Sequence, residues 1–176
     1  MSSSPPASGT RISAHGNGAA PAAGYGVVSR ETLKTTQGID LLQGMIDGRF
    51  PAPPIADLMG FGLTELAPGR AIFTGLPGKQ HYNPSGTVHG GFAATLLDSA
   101  MGCAVHTLVP KGQGFTTLEI KVNYVRPMLD NTGEVRCEAA VINMGKTVAT
   151  ADGKILDAKG RLIAHGTTTC LIFDMP

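Results

Sequence analysis

The sequence predicts one α+β domain in which an antiparallel sheet wraps a single long, buried helix. Three observations carry this. Only one stretch, Gly90 to about Val109, is long enough and apolar enough all round to be a buried helix. Four runs of strand character follow it, each set off by turn residues. No strand–helix–strand alternation recurs, which argues against a doubly wound parallel sheet.

The elements follow in chain order. Residues 1–30 are rich in Ser, Pro, Ala and Gly with few apolar anchors, so they read as a disordered or loosely ordered tail. Residues 31–50 form an N-terminal helix and connector: Leu33, Ile39, Leu42, Met45 and Ile46 recur at helical spacing until Gly48 and Pro51. The main domain is then residues 51–176. It opens on the extended connector Pro51-Ala52-Pro53-Pro54, followed by a hairpin of Leu58 to Leu66 and Ala71 to Leu76 around Pro68-Gly69. The long helix sets Phe92, Leu96, Leu97, Met101 and Val105 among alanines and closes at Pro110 and Gly112. The four later strands are Thr117 to Val125, Glu134 to Ile142, Lys146 to Ile155 and Arg161 to Phe173. In the first, Leu118, Ile120, Val122 and Tyr124 face one side, with Glu119, Lys121 and Asn123 opposite. A lone sheet around one helix leaves a face and an edge strand to be covered, and a second copy of the chain would cover both.

Composition narrows the function classes. At 176 residues the chain suits one well-cored domain plus a tail. Charged residues make up 15%, below the usual share of about a quarter, again pointing to surface covered by another copy. A net charge of +1 gives no reason to expect nucleic acid or an anionic membrane as partner. No apolar run approaches the roughly 18 residues of a membrane span, and the start lacks the basic and apolar regions of a secretory signal. Two arginines and no acidic residue in the first 30 positions leave a transit peptide weaker than a plain tail. Cys103, Cys137 and Cys170 read as reduced core thiols, which fits the cytoplasm. His81, His106 and His165 do not make a metal set at any usual spacing.

The chemistry gathers at Asn83 to Asp98. Two glycines at a helix start, Gly90 and Gly91, lower helix propensity and need a reason. One is close packing. The other is that a helix N-terminus offers unpaired N–H groups and a positive dipole end, which suit a thioester oxygen turning into an oxyanion. Asp98 lies amid Leu96, Leu97, Ala100 and Met101, and a carboxylate is expensive to bury there unpaired. A structural role bonding nearby backbone is the plain alternative; general base or direct nucleophile is favoured. Seven residues separate Gly91 from Asp98, nearly two turns and a rise of about 10 Å. One carbonyl carbon cannot touch a Gly90 amide and the Asp98 carboxylate of the same helix. If both act on one substrate, two helices packed antiparallel must share the site, and a monomer is inactive.

The pattern Asn83-x5-His89-Gly90-Gly91-x6-Asp98 resembles the PaaI group of hotdog-fold acyl-CoA thioesterases, which includes mammalian acyl-CoA thioesterases. The resemblance runs from about Pro51 to Phe173 and takes in the segment Thr117 to Pro127. It implies a hotdog fold, and it implies roles at matching positions. Asn83 and the Gly90 amide would hold and polarise the thioester carbonyl, and His89 would order the turn and bond Asn83 or the substrate. Asp98 of the partner chain would activate water or attack directly. Thr117 falls where the mammalian members carry a serine that places the attacking water; the interval from Asp98 is one residue longer, so Thr116 is a rival. A related branch cleaving 4-hydroxybenzoyl-CoA carries Glu and Thr on the helix, where this chain has Asp98 and Gly102.

The reading is an acyl-CoA thioesterase, on aryl- or fatty-acyl groups, working as a homodimer or homotetramer with no metal or redox cofactor. Substrate-binding candidates are Gly91, Tyr82, Thr116, Arg126 and Lys121, the last two toward coenzyme A phosphates. Rivals are a hydroxyacyl-thioester hydratase or dehydratase and a non-catalytic acyl-CoA-binding protein. The paired glycines and Asn83 suit carbonyl polarisation better than the first, and the tail offers no basic DNA-binding helix pair for the second.

Overall fold

The computed structural model describes residues 21–176. Of the tail expected over residues 1–30, residues 1–20 lie outside the described residues. The rest is tied down: Tyr25 pairs in parallel with Ala52, the Gly26 amide donates to Ala52 O at 2.9 Å, and the Ala52 amide to Gly24 O at 3.0 Å.

The single N-terminal helix expected from spacing is two helices. In α1 (Arg30–Thr35) the Ser29 hydroxyl caps the start, accepting from the Thr32 amide at 3.1 Å. Thr36 and Gln37 are extended, and α2 (Gly38–Ile46) follows. The break is tertiary in origin. A Cβ at Gly38 would lie 1.9 Å from the His106 carbonyl oxygen, so the backbone passes the end of the long helix where only glycine fits. The proline connector is also shorter than expected, because Pro54 takes the first position of α3 (Pro54–Met59), where its missing N–H costs nothing. Leu58 and Met59 are therefore helical rather than strand. Gly60, left-handed at φ 66°, stops the helix.

The hairpin is β1 (Phe61–Ala67) with β2 (Arg70–Gly75), followed by a single 3-10 turn at Lys79–His81 and the long helix α4 (Gly90–His106). Four strands complete the chain: β3 (Gln113–Tyr124), β4 (Val135–Met144), β5 (Val148–Leu156) and β6 (Leu162–Asp174). They form one six-stranded antiparallel sheet in the order β1-β2-β4-β5-β6-β3. α4 packs against all six strands, as the composition of this helix requires. Phe92, Leu96, Leu97, Met101 and Val105 are all at most 2% exposed, each burial stabilising by roughly 1.5–3 kcal/mol. Gly153 of β5 pairs with Gly166 of β6 under this helix, and a Cβ at Gly153 would meet Met101 at 3.1 Å and Leu97 at 3.2 Å. The paired glycines let the helix come down onto the sheet.

β3 lies at one edge of the sheet and departs from simple alternation. Its register against β6 shifts between Thr117 and Glu119, so Leu118 is bulged out and 59% exposed instead of sharing the face of Ile120. Ile120, Val122 and Tyr124 keep the expected face opposite Glu119, Lys121 and Asn123.

Candidate active site

The turn before α4 is built around one side chain. Asn83 Oδ1 accepts from the amides of Ser85 at 2.9 Å and Thr87 at 3.3 Å, while Nδ2 donates to Thr87 Oγ1 at 3.0 Å. Gly86, at φ 78°, closes the turn onto Asn83 O. An amide has two N–H donors, so Asn83 keeps one for a ligand. The chain then reaches His89, whose amide donates to His81 O at 2.7 Å.

His89 is the N-cap of α4. Its Nδ1 accepts from the Gly91 amide at 2.8 Å, so the imidazole bonds the helix start and not Asn83. That same bond occupies the Gly91 N–H. The Gly90 amide, by contrast, has no acceptor among the described residues. Gly90 is glycine for a steric reason as well: a Cβ there would press on the Tyr124 ring at 3.1 Å, and Tyr124 Oη donates to Gly90 O at 3.2 Å. Asn83, Thr87, Gly90, Tyr124 and Arg126 line a cleft of about 330 Å³.

A second cleft, of about 310 Å³, opens farther along α4. There Asp98 is half-buried and its Oδ1 accepts from Thr117 Oγ1 at 2.9 Å. This geometry separates the two threonines: Thr117 bonds the carboxylate, and Thr116 is exposed and lines the mouth. Gly102 faces the Phe115 ring, which a Cβ would meet at 3.2 Å. Cys103 also reaches this cleft, where burial and then the negative charge of Asp98 push its thiol up to about 12. It is a neutral, apolar wall. The two clefts share no lining residue, in keeping with the rise between Gly91 and Asp98 of about 10 Å.

Of the remaining candidates, Arg126 lines the first cleft, with Nη1 donating to Leu162 O at 2.5 Å. Lys121 is exposed on β3 opposite Thr167 and lines neither cleft. The Tyr82 hydroxyl bonds Asp130 Oδ1 at 2.8 Å, and that bond, then Lys79, hold the Asp130 carboxyl below the usual carboxylate range. His81 packs on Phe92 with ring centroids 4.7 Å apart, and burial lowers its basicity. Sequence reasoning missed Tyr124 and Phe115 as site residues. Their positions depend on how β3 is laid against α4, and no local pattern carries that.

Residues 85–164 match the model of the thioesterase superfamily. Human acyl-coenzyme A thioesterase 13 is 32% identical over 109 residues, 61% of this chain and 76% of the relative. A protein of Halobacterium salinarum with an esterase designation is 34% identical over 101 residues, and the chain spans 65% of that relative's length. A mutant of the phenylacetic acid degradation protein PaaI from Thermus thermophilus is 31% identical with a TM-score of 0.61, covering 67% of this chain and 97% of that one. A thioesterase family protein from Silicibacter pomeroyi, 26% identical, has a TM-score of 0.67 over 76% of this chain and 99% of that one.

Proposed function

The chain belongs to the thioesterase superfamily as a PaaI-like, hotdog-fold thioester hydrolase, and we propose that it hydrolyses an acyl-coenzyme A to the free acid and coenzyme A at a site shared between two copies of the chain. The observation that carries the reading is the split of one helix into two unlike clefts. An unengaged Gly90 amide beside Asn83 stands in one, and the Asp98–Thr117 pair in the other. Neither cleft holds both an oxyanion donor and a base. An antiparallel pair of α4 helices brings each Gly90 to the other chain's Asp98 and makes two complete sites. The exposed edge of β3, with Leu118 59% and Tyr124 58% exposed, is free to carry that pairing.

In each site the thioester oxygen accepts from the Gly90 N–H and the spare Asn83 N–H, which strengthen as it gains charge. Thr117 donates to one oxygen of Asp98 and leaves the other free to face the attacking water. Asp98 then takes a proton from the attacking water. The tetrahedral intermediate collapses, the C–S bond breaks, and the proton passes to the leaving thiolate. In the alternative route Asp98 itself attacks, and water hydrolyses the resulting anhydride. Single turnover in oxygen-18 water identifies the second route when water attacks the aspartyl carbonyl, because the label then enters Asp98 and not the acid. Trapping the anhydride with hydroxylamine covers attack at the acyl carbonyl. Three free cysteines support a reducing, cytoplasmic setting.

The test is thiol release over a panel of acyl-CoAs by the homodimer. The reading expects hydrolysis of at least one acyl class in the absence of added metal; no release from any thioester overturns it.

A further inference from the structure

Beside the Asp98 cleft lies a narrower, more enclosed space of about 50 Å³. Its roof is the N-terminal segment, through Leu42 and Met45 of α2 and Ala56 of α3, and its floor is Phe61, Phe73 and Cys103. Pro53, Phe61, Phe73 and Cys103 line both spaces, so the chamber adjoins the cleft in which Asp98 and Thr117 meet. We propose that this chamber receives the end of the acyl group and, by its size, selects an unbranched aliphatic chain over an aromatic ring. The inference rests on the acyl-CoA reading above.

The residues that line it are almost all apolar, among them Leu42, Met45, Ala56, Phe61 and Phe73. Such a space stays dry and gains by accepting apolar groups. Size decides which groups. A cavity that binds benzene is about 150 Å³, three times the space present here. A methylene chain passes where a ring does not. The walls are fixed: Phe61 and Phe73 are 1% and 5% exposed and pack edge to face with centroids 6.0 Å apart. The roof is held by the pairing of Tyr25 with Ala52 and by the close seat of Gly38 on His106. Selection therefore comes from a segment that precedes the sheet and carries none of the reacting groups.

The test compares kcat/KM for butanoyl-, octanoyl- and phenylacetyl-CoA in the wild type, Ala56→Leu and Met45→Ala. Each methylene that enters the chamber is worth about fourfold in kcat/KM, from roughly 0.8 kcal/mol per buried CH₂. Wild type should favour octanoyl- over phenylacetyl-CoA by at least about tenfold. Ala56→Leu should lower the octanoyl-to-butanoyl ratio about fourfold or more, and Met45→Ala should narrow the gap to phenylacetyl-CoA. Equal use of octanoyl and phenylacetyl groups, or ratios unmoved by both variants, overturns the proposal. Calorimetry with the non-hydrolysable thioethers S-octyl- and S-phenethyl-coenzyme A decides the same point without turnover. Tighter binding of the octyl compound supports the chamber and equal binding overturns it, whereas absent hydrolysis alone tells against the thioesterase reading and not against the chamber.

Discussion

Replacing Asp98 by asparagine separates chemistry from structure more cleanly than any other single change. The carboxylate is half-buried and accepts one bond from Thr117 Oγ1 at 2.9 Å. In Asp98→Asn the amide oxygen can accept the same bond, so geometry is kept and only the charge is lost. A charge-assisted bond becomes a neutral one, a change of about 1 kcal/mol in stability. For a domain of this size that lowers Tm by roughly 2–4 °C. Catalysis has no such substitute, because an amide neither takes a proton from water nor attacks a carbonyl. A positioned general base contributes about 10²- to 10⁴-fold, so kcat should fall by that factor, equivalent to ~2.7–5.5 kcal/mol. The assay is thiol release followed beside thermal unfolding and sedimentation, with Asp98→Ala as a second variant immune to deamidation. An unchanged kcat in either variant refutes the catalytic assignment. A collapse of the fold or assembly would assign Asp98 a structural role instead.

Further outcomes follow from single contacts. Thr117→Val removes the donor to Asp98 and should lower kcat roughly tenfold to 100-fold with KM little changed, while Thr117→Ser restores most of it. Gly38→Ala places a Cβ 1.9 Å from the His106 carbonyl and should cost about 1–3 kcal/mol in urea unfolding. Burial lowers the pKa of His106 from 6.5 to about 4, so the imidazole is neutral in the fold and protonates more readily when unfolded. Its stabilising contribution is complete above 6.5 and is lost as pH falls toward 4, at up to about 1.4 kcal/mol per pH unit. His106→Gln should flatten that part of the stability–pH curve.

The parts of this molecule legible in the sequence are those governed by local pattern. α4 announced itself through Phe92, Leu96, Leu97, Met101 and Val105, and its lone carboxylate stood out against them. The last three strands are legible as runs of strand character set off by turn residues. What escaped was set by distant contacts. The break between α1 and α2 exists because Gly38 meets His106, 68 positions away in the chain. Pro54 reads as connector in the sequence because a proline run looks extended; in the fold it opens α3. By alternation Leu118 shares the face of Ile120, and only the register against β6 reveals the bulge. At the site the motif singles out the Gly90 turn and Asp98 as candidates, but the occupation of the Gly91 amide by His89 and the closeness of Tyr124 to Gly90 emerge only in three dimensions.

The central claim is that the Gly90 turn and Asp98 act in one site contributed by two chains. It is tested by forming heterodimers of Asp98→Asn with Gly90→Pro, each inactive alone. Proline suits the first helical position and deletes the N–H, and His89 already has the extended conformation that precedes a proline; its Cβ presses on Tyr124, which lines the same, already disabled cleft. In the heterodimer one site joins an intact Gly90 from one chain to an intact Asp98 from the other, while its twin is doubly disabled. Purified heterodimer should therefore recover about half of wild-type turnover. Turnover no higher than that of either parent would place both groups within a single chain's site and contradict the shared arrangement.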